Sequence, residues 1–156
     1  MSLLSSIKGL CHSDAIDTQL ETKIIEHEGI RRFAYQDSMG KWTIGIGRNI
    51  NEGSGKGLST DECWYLLRND IKDCRNQLKD YDWYKQLDKV RSDAIVELCF
   101  NLGLHGLLEF KDMINALQIK QYISAGTFLK NSNWYSQVGK NRGDDLVFRL
   151  RNGQYI

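Results

Sequence analysis

The chain has 156 residues, 41% hydrophobic and 26% charged, with 21 basic residues against 20 acidic ones and a net charge of +1. That length suits one ordinary domain burying about two thirds of its unfolded surface, so no metal or disulfide is needed to hold it. The charge balance argues against a dedicated nucleic-acid binder and leaves an anionic polymer such as cell wall open, while no apolar run nears the roughly 18 residues of a membrane span.

The first stretch, "MSLLSSIKGLCHSDAID", lacks the continuous apolar core of a signal peptide, so export needs outside help. Leu3, Leu4, Ile7 and Leu10 share one helical face, which packs on the domain or lies against a membrane surface. Thr18 and Glu21 form a capping box, and Leu20, Ile24 and Ile25 an apolar stripe, predicting a helix over 19–28 that ends near Gly29. "FAYQDSMGKWTIGIG" then gives two short alternating runs around Asp37, Ser38, Met39 and Gly40, a tetrad suited to a hairpin turn.

"NEGSGKG" separates this hairpin from a second capping box, Ser59 and Glu62. Trp64, Leu67, Ile71, Cys74 and Leu78 follow at spacings of three and four, predicting a helix of about five turns. Periodicity in "LDKVRSDAIVELCFNLG", "FKDMINALQ", "YISAGTFLK" and "DDLVFRLRN" predicts four or five more helices around Val90, Ala94, Ile95, Leu98, Cys99, Leu117 and Phe128. Proline, internal repeats and low-complexity tracts are absent. The expected fold is α+β and mostly α: a small N-terminal hairpin lobe, a long linking helix and a C-terminal helical bundle. Seams between such lobes are where ligand sites usually form.

Cys11, Cys63, Cys74 and Cys99 show no metal-ligand spacing, and Cys63 and Cys74 lie about 16 Å apart along one helix, too far to pair. For most of them a buried reduced thiol made in a reducing cytosol is expected, with no metal and no cofactor.

In "KWTIGIGR" a period of two sends Trp42, Ile44 and Ile46 to one face, read as core, and Thr43, Gly45 and Gly47 to the other, where a bulky ligand could approach the backbone. Glu28 ends helix one, where the helix dipole opposes a further negative charge and so suits a proton donor. Asp37, in the turn, carries no such burden. Two carboxyl groups so differentiated, with a Thr43 hydroxyl to hold water, fit glycosidic bond cleavage. Local turn and helix-end preferences explain the same residues without chemistry. His27, next to the acid, has no nucleophile to serve and reads as a surface or supporting residue.

The segment "HEGIRRFAYQDSMGKWTIGIGRNI" closely resembles the active-site region of the phage-type lysozymes, glycoside hydrolases that include the T-even phage enzymes. Their signature is Glu, eight residues, Asp, five residues, Thr, and Glu28, Asp37 and Thr43 match it without a gap. The likeness continues through "LSTDECWYLLRNDI", "VRSDAIVELCFNLGLHGLLEF" and "NWYSQVGKNR". It implies a single lysozyme domain over 1–156: an extension at 1–17, the hairpin lobe at 18–58, the linking helix at 59–80 and the helical lobe at 81–156.

The resemblance implies hydrolysis, with inversion, of the β-1,4 bond between N-acetylmuramic acid and N-acetylglucosamine in peptidoglycan, causing host lysis. Glu28 is then the general acid, Asp37 assists the attacking water and Thr43 positions it. Gly47, Phe100 and Asn101 match substrate contacts, although core packing also explains Phe100. Arg142 matches an arginine that orients the catalytic glutamate. Where well-known members carry histidine this chain has Arg48, within reach of a matching Asp70, and arginine keeps its charge in mild acid. Trp134 and Tyr135 are read as closing the C-terminal lobe rather than stacking on sugar.

The implied partner is peptidoglycan, with no nucleic acid and no stable membrane insertion. A monomer is expected to wait in the host cytoplasm for a holin to open the way to the wall. The competing readings are a catalytically silent wall-binding or virion structural domain, and a transglycosylase, which would leave Asp37 and Thr43 little to do.

Overall fold

The computed structural model describes residues 18–156, so the expectations for Leu3, Leu4, Ile7, Leu10 and Cys11 lie outside the described residues. The chain divides between Ser59 and Thr60 into two compact units.

In the first unit, α1 (Thr18–Glu28) covers the span that the apolar spacing predicts. Gly29 ends it with φ +71°, its N–H returning to the Ile25 carbonyl at 2.8 Å. A left-handed residue there is cheap only for glycine, so the chain turns directly after Glu28. Three antiparallel strands follow in the order β1 (Arg31–Gln36), β2 (Trp42–Gly45), β3 (Arg48–Asn49).

The β1–β2 hairpin lies where the turn tetrad predicts it, but "KWTIGIGR" is not one strand. It reverses at Ile46 and Gly47, and Gly45 (φ +69°) and Gly47 (φ +72°) supply the left-handed backbone for the reversal. The predicted faces are corrected too. Trp42 is 49% exposed and Ile46 is also exposed, whereas Thr43 is 4% exposed. The cause is position in the sheet: Thr43 pairs with Tyr35 of β1 and Asn49 of β3, so both neighbours cover it, while Trp42 pairs with Gln36 of β1.

The second unit opens with α2 (Thr60–Leu78), which begins one residue after Ser59 as a capping residue there requires. Burial along its predicted stripe is graded: Trp64 is exposed, Leu67 and Ile71 are half-buried, and Cys74 and Leu78 are buried. Six helices follow rather than four or five: α3 (Asp82–Lys85), α4 (Lys89–Leu108), α5 (Lys111–Gln118), α6 (Tyr122–Lys130), α7 (Asn133–Val138) and α8 (Lys140–Asn152). The two that periodicity did not reveal, α3 and α7, are too short to repeat an apolar spacing.

α4 packs against α2 and α8, and α6 packs against α5 and α8. Leu78, Ile95, Leu98, Leu107, Met113, Leu117, Leu129, Leu146 and Leu150 fill the core. Of the predicted core, Ala94, Ile95, Leu98, Cys99 and Leu117 are buried and Val90 is half-buried. Phe128 is not core: α6 turns Ala125, Gly126 and Leu129 inward, which leaves Phe128 exposed at the edge of that stripe. Asp88 caps α4 by accepting the Arg91 N–H at 3.0 Å. Arg91 in turn donates to the carbonyls of Leu150 and Arg151 at 2.8 and 2.9 Å, satisfying the end of α8 with a cation where the helix dipole favours one. α4 kinks at Gly103 (φ 70°, ψ 165°), just beyond Phe100 and Asn101.

Candidate active site

Glu28 is the last residue of α1, exposed, with its carboxyl against the backbone of Gly47. A Cβ built on Gly47 would lie 2.8 Å from Glu28 Oε2 and 3.1 Å from its Cδ. Gly47 thus answers two demands at once, a left-handed backbone and a close approach to the acid. It lies in the turn between β2 and β3, not on a strand face as the sequence suggested.

Asp37 and Thr43 are joined through one residue that sequence reasoning missed, Lys41. Asp37 Oδ1 accepts the N–H groups of Met39 at 2.8 Å and Lys41 at 2.9 Å. The Lys41 carbonyl accepts the Asp37 N–H at 2.9 Å and the Thr43 hydroxyl at 3.2 Å. Gly40 closes the turn by donating to the Asp37 carbonyl at 2.9 Å, with φ +74°. One carboxylate oxygen is therefore anchored to the hairpin, and the hydroxyl proton of Thr43 is committed to a backbone oxygen. Lys41 acts through its peptide groups, so no side-chain pattern could have pointed to it.

Arg48 Nη1 donates to the Gly57 carbonyl at 3.1 Å, bracing the "NEGSGKG" loop, and His27 is exposed. Asp70 lies exposed on α2 in the second unit.

In the second unit, Phe100 is 45% exposed although its α4 neighbours Leu98 and Cys99 are buried, so core packing does not account for it. Asn101, also exposed, accepts the indole N–H of Trp134 at 2.7 Å through Oδ1. That bond fixes which way the amide faces and leaves its NH₂ group as the outward donor. Trp134 itself is buried, as expected of a residue that closes the lobe, and Tyr135 donates its hydroxyl to Asp144 at 2.5 Å.

Arg142 Nε donates to Glu97 Oε1 at 3.3 Å, and Arg149 Nη2 bonds the other oxygen of Glu97. Arg149 is 5% exposed and also pairs with Asp145 at 2.8 Å. Burial pulls the Arg149 pKa down, but the partners Glu97 and Asp145 outweigh it and raise it above the usual value. A cavity of about 440 Å³ is lined by these arginines together with Glu97, Phe100, Leu67 and Ile71. The sequence did hold a signal for this cluster: Arg149 falls on the stripe of Leu146, Val147 and Leu150, where a charge needs a buried partner.

Among the described residues, a glutamate therefore ends α1 while an aspartate and a threonine are braced on the hairpin that follows. A family model described as "Phage lysozyme" matches residues 25–151, and the chain belongs to that family. It is 25% identical to a "Probable T4-type lysozyme 1" of Dictyostelium discoideum, over 81% of this chain and 89% of that one. It is 30% identical to an "Endolysin" of Acyrthosiphon pisum secondary endosymbiont phage 1, over 69% and 73% of the two chains. A third relative, the "SAR-endolysin" of Haemophilus phage HP1, is 34% identical over 51% of this chain and 43% of its own. Membership of the family supports a hydrolase of the lysozyme type and implies peptidoglycan as its substrate. Among the described residues no helix is long and apolar enough to cross a membrane.

Proposed function

We propose that the protein cleaves the β-1,4 bond between N-acetylmuramic acid and N-acetylglucosamine, with inversion, and thereby lyses the host cell. The observation that carries this reading is the bracing of Asp37 and Thr43 on the backbone of one residue, Lys41, with Glu28 held separately against Gly47. Two carboxyl groups on independent supports can work on opposite faces of a sugar.

In the mechanism, Glu28 donates its proton to the leaving oxygen as the glycosidic bond breaks. Asp37 Oδ1 is engaged by two amides, so Oδ2 is the oxygen that takes a proton from the attacking water. Thr43 donates to the Lys41 carbonyl, so its lone pairs are what it offers, and they accept a hydrogen from that water. The water is then oriented by two acceptors, with its own lone pair left to attack the anomeric carbon. Direct attack inverts the configuration and goes with carboxyl groups about 6.5 to 9.5 Å apart.

On this reading the ligand is the glycan strand of peptidoglycan. Gly47 leaves room for it beside Glu28, Phe100 offers a ring to a sugar face, and the Asn101 NH₂ reads an N-acetyl carbonyl. Arg142, Arg48 and Asp70 are read as supporting residues. The protein works as a monomer that reaches the wall through a membrane opening made by a holin. Turbidity of permeabilised Gram-negative cells tests the reading: clearing by the wild type that is lost in Glu28→Gln supports it, and no clearing by the wild type favours a silent wall-binding or virion role. A β-linked substrate yielding an α-anomer first, read by NMR, establishes inversion, whereas a 1,6-anhydro product would identify transglycosylation.

A further inference from the structure

The Lys41 carbonyl carries both the Asp37 N–H and the Thr43 hydroxyl, at 2.9 and 3.2 Å. That carbonyl belongs to the peptide group between Lys41 and Trp42, which is trans, so the N–H of the same group leaves from the opposite edge of its plane. There the Trp42 N–H donates to the side-chain oxygen of Asn51 at 2.9 Å. The peptide is thus gripped from both edges, and Asn51 sets the tilt of the plane from which Asp37 and Thr43 hang. Donation by the N–H also polarises the group, which strengthens its carbonyl as an acceptor.

Asn51 is held in turn. Its N–H donates to Asn49 Oδ1 at 2.9 Å, and its carbonyl accepts the Gly55 N–H at 2.7 Å. A Cβ on Gly55 would lie 2.5 Å from Asn49 Oδ1 and 2.7 Å from the Asn51 nitrogen, so this turn has no slack. Asn49 pairs with Thr43 across β2 and β3, and the Ile50 N–H reaches the Trp42 carbonyl at 2.8 Å.

We propose that Asn51 is a positioning residue for the reaction: by accepting the Trp42 N–H it fixes the peptide that aims Asp37 and the Thr43 oxygen at the attacking water. The proposal rests on the muramidase reading above, in which those two groups hold that water. A plane free to tilt misplaces both, which slows the chemical step more than it weakens glycan binding.

The test compares Asn51→Ala, which removes the acceptor, with Asn51→Asp, which keeps an oxygen in its place, and adds Asn51→Ala to Thr43→Val as a double-mutant cycle. For each protein, kcat and KM are measured on purified peptidoglycan fragments, melting is followed, and exchange of the Trp42 amide proton is read by NMR. The expected result for Asn51→Ala is a kcat about tenfold lower with KM within about twofold, and faster exchange at Trp42. Asn51→Asp should recover kcat to within about twofold and keep that exchange slow. In the Thr43→Val background the loss from Asn51→Ala should shrink to about threefold or less, because one of the two groups it aims is already gone. An unchanged kcat, an aspartate variant as slow as the alanine one, or an equal loss in both backgrounds would overturn the proposal. So would an alanine variant that does not fold, which would make Asn51 a support of the hairpin rather than of the reaction. An inactive wild type would instead overturn the muramidase reading, and this proposal with it.

Discussion

The backbone of Gly47 sits so close to the carboxyl of Glu28 that a Cβ at this position would lie 2.8 Å from Oε2. The neighbour that would have to move is the proposed proton donor itself. Gly47→Ala is therefore expected to act twice. The left-handed φ of +72° costs roughly 1–2 kcal/mol of stability for an alanine, a drop of several degrees in melting temperature. Displacement of Glu28 by even 1 Å costs on the order of a hundredfold in kcat. Turbidity kinetics alongside a thermal melt check both, and a variant that melts early but clears cells at the wild-type rate would show that Glu28 does not need this wall.

Thr43 is expected to contribute through its oxygen alone, because its hydroxyl proton is spent on the Lys41 carbonyl. Thr43→Ser keeps that oxygen and should retain most activity. Thr43→Val keeps the shape and loses it, with an expected drop of about a hundredfold in kcat and little change in KM. Buried as it is, the valine should not unfold the hairpin, and a melt within a few degrees of wild type would separate lost chemistry from lost structure.

What the sequence made legible depended on how local its cause was. The end of α1, the Asp37–Gly40 turn and the α2 stripe follow from a left-handed glycine, turn chemistry and a repeat of three and four, all contained within a few neighbours. The spacing of Glu28, Asp37 and Thr43 was legible because it is a pattern along the chain. The faces of β2 were not: alternation finds two sides but not which is covered, and Thr43 is buried because β1 and β3 flank it. The same limit hid the link from Glu97 to Arg142 and Arg149, residues 45 and 52 positions apart. The bracing at Lys41 was hidden for another reason, since peptide groups are common to every residue.

The cysteines differ in environment enough to predict their chemistry. Cys63 is exposed on α2, whereas Cys74 and Cys99 are buried, and burial, followed by the neighbouring Cys74, pushes the Cys99 thiol up. Thiolate, not thiol, is the nucleophile, so the buried pair should be inert. Brief treatment of the native protein with iodoacetamide, mapped by mass spectrometry, should modify Cys63 and leave Cys74 and Cys99 unlabelled until denaturant is added. Labelling of Cys99 in the native state would mean that the contact between α2 and α4 opens readily.

Asp93 ties the C-terminal segment to α2 and α4, accepting from Lys89 at 2.6 Å, Arg75 at 2.5 Å and Tyr155 at 2.6 Å. Burial alone would raise its pKa, but the hydrogen bonds from Lys89, Tyr155 and Arg75 win and bring it from 3.8 down to about 2. Because the folded value lies below the unfolded one, the stabilisation is fully present above the unfolded value. It is lost as pH falls through the folded one. With Asp93 mostly shielded and its partners Arg75 and Lys89 more exposed, the contribution is on the order of 1–2 kcal/mol after allowing for solvent screening. Asp93→Asn should therefore lower the stability measured by urea unfolding at pH 7 by about that amount, and the gap to wild type should shrink steadily between about pH 4 and pH 2. A gap that stays constant down to pH 2 would mean that the carboxylate charge contributes nothing and that packing alone holds Tyr155 in place.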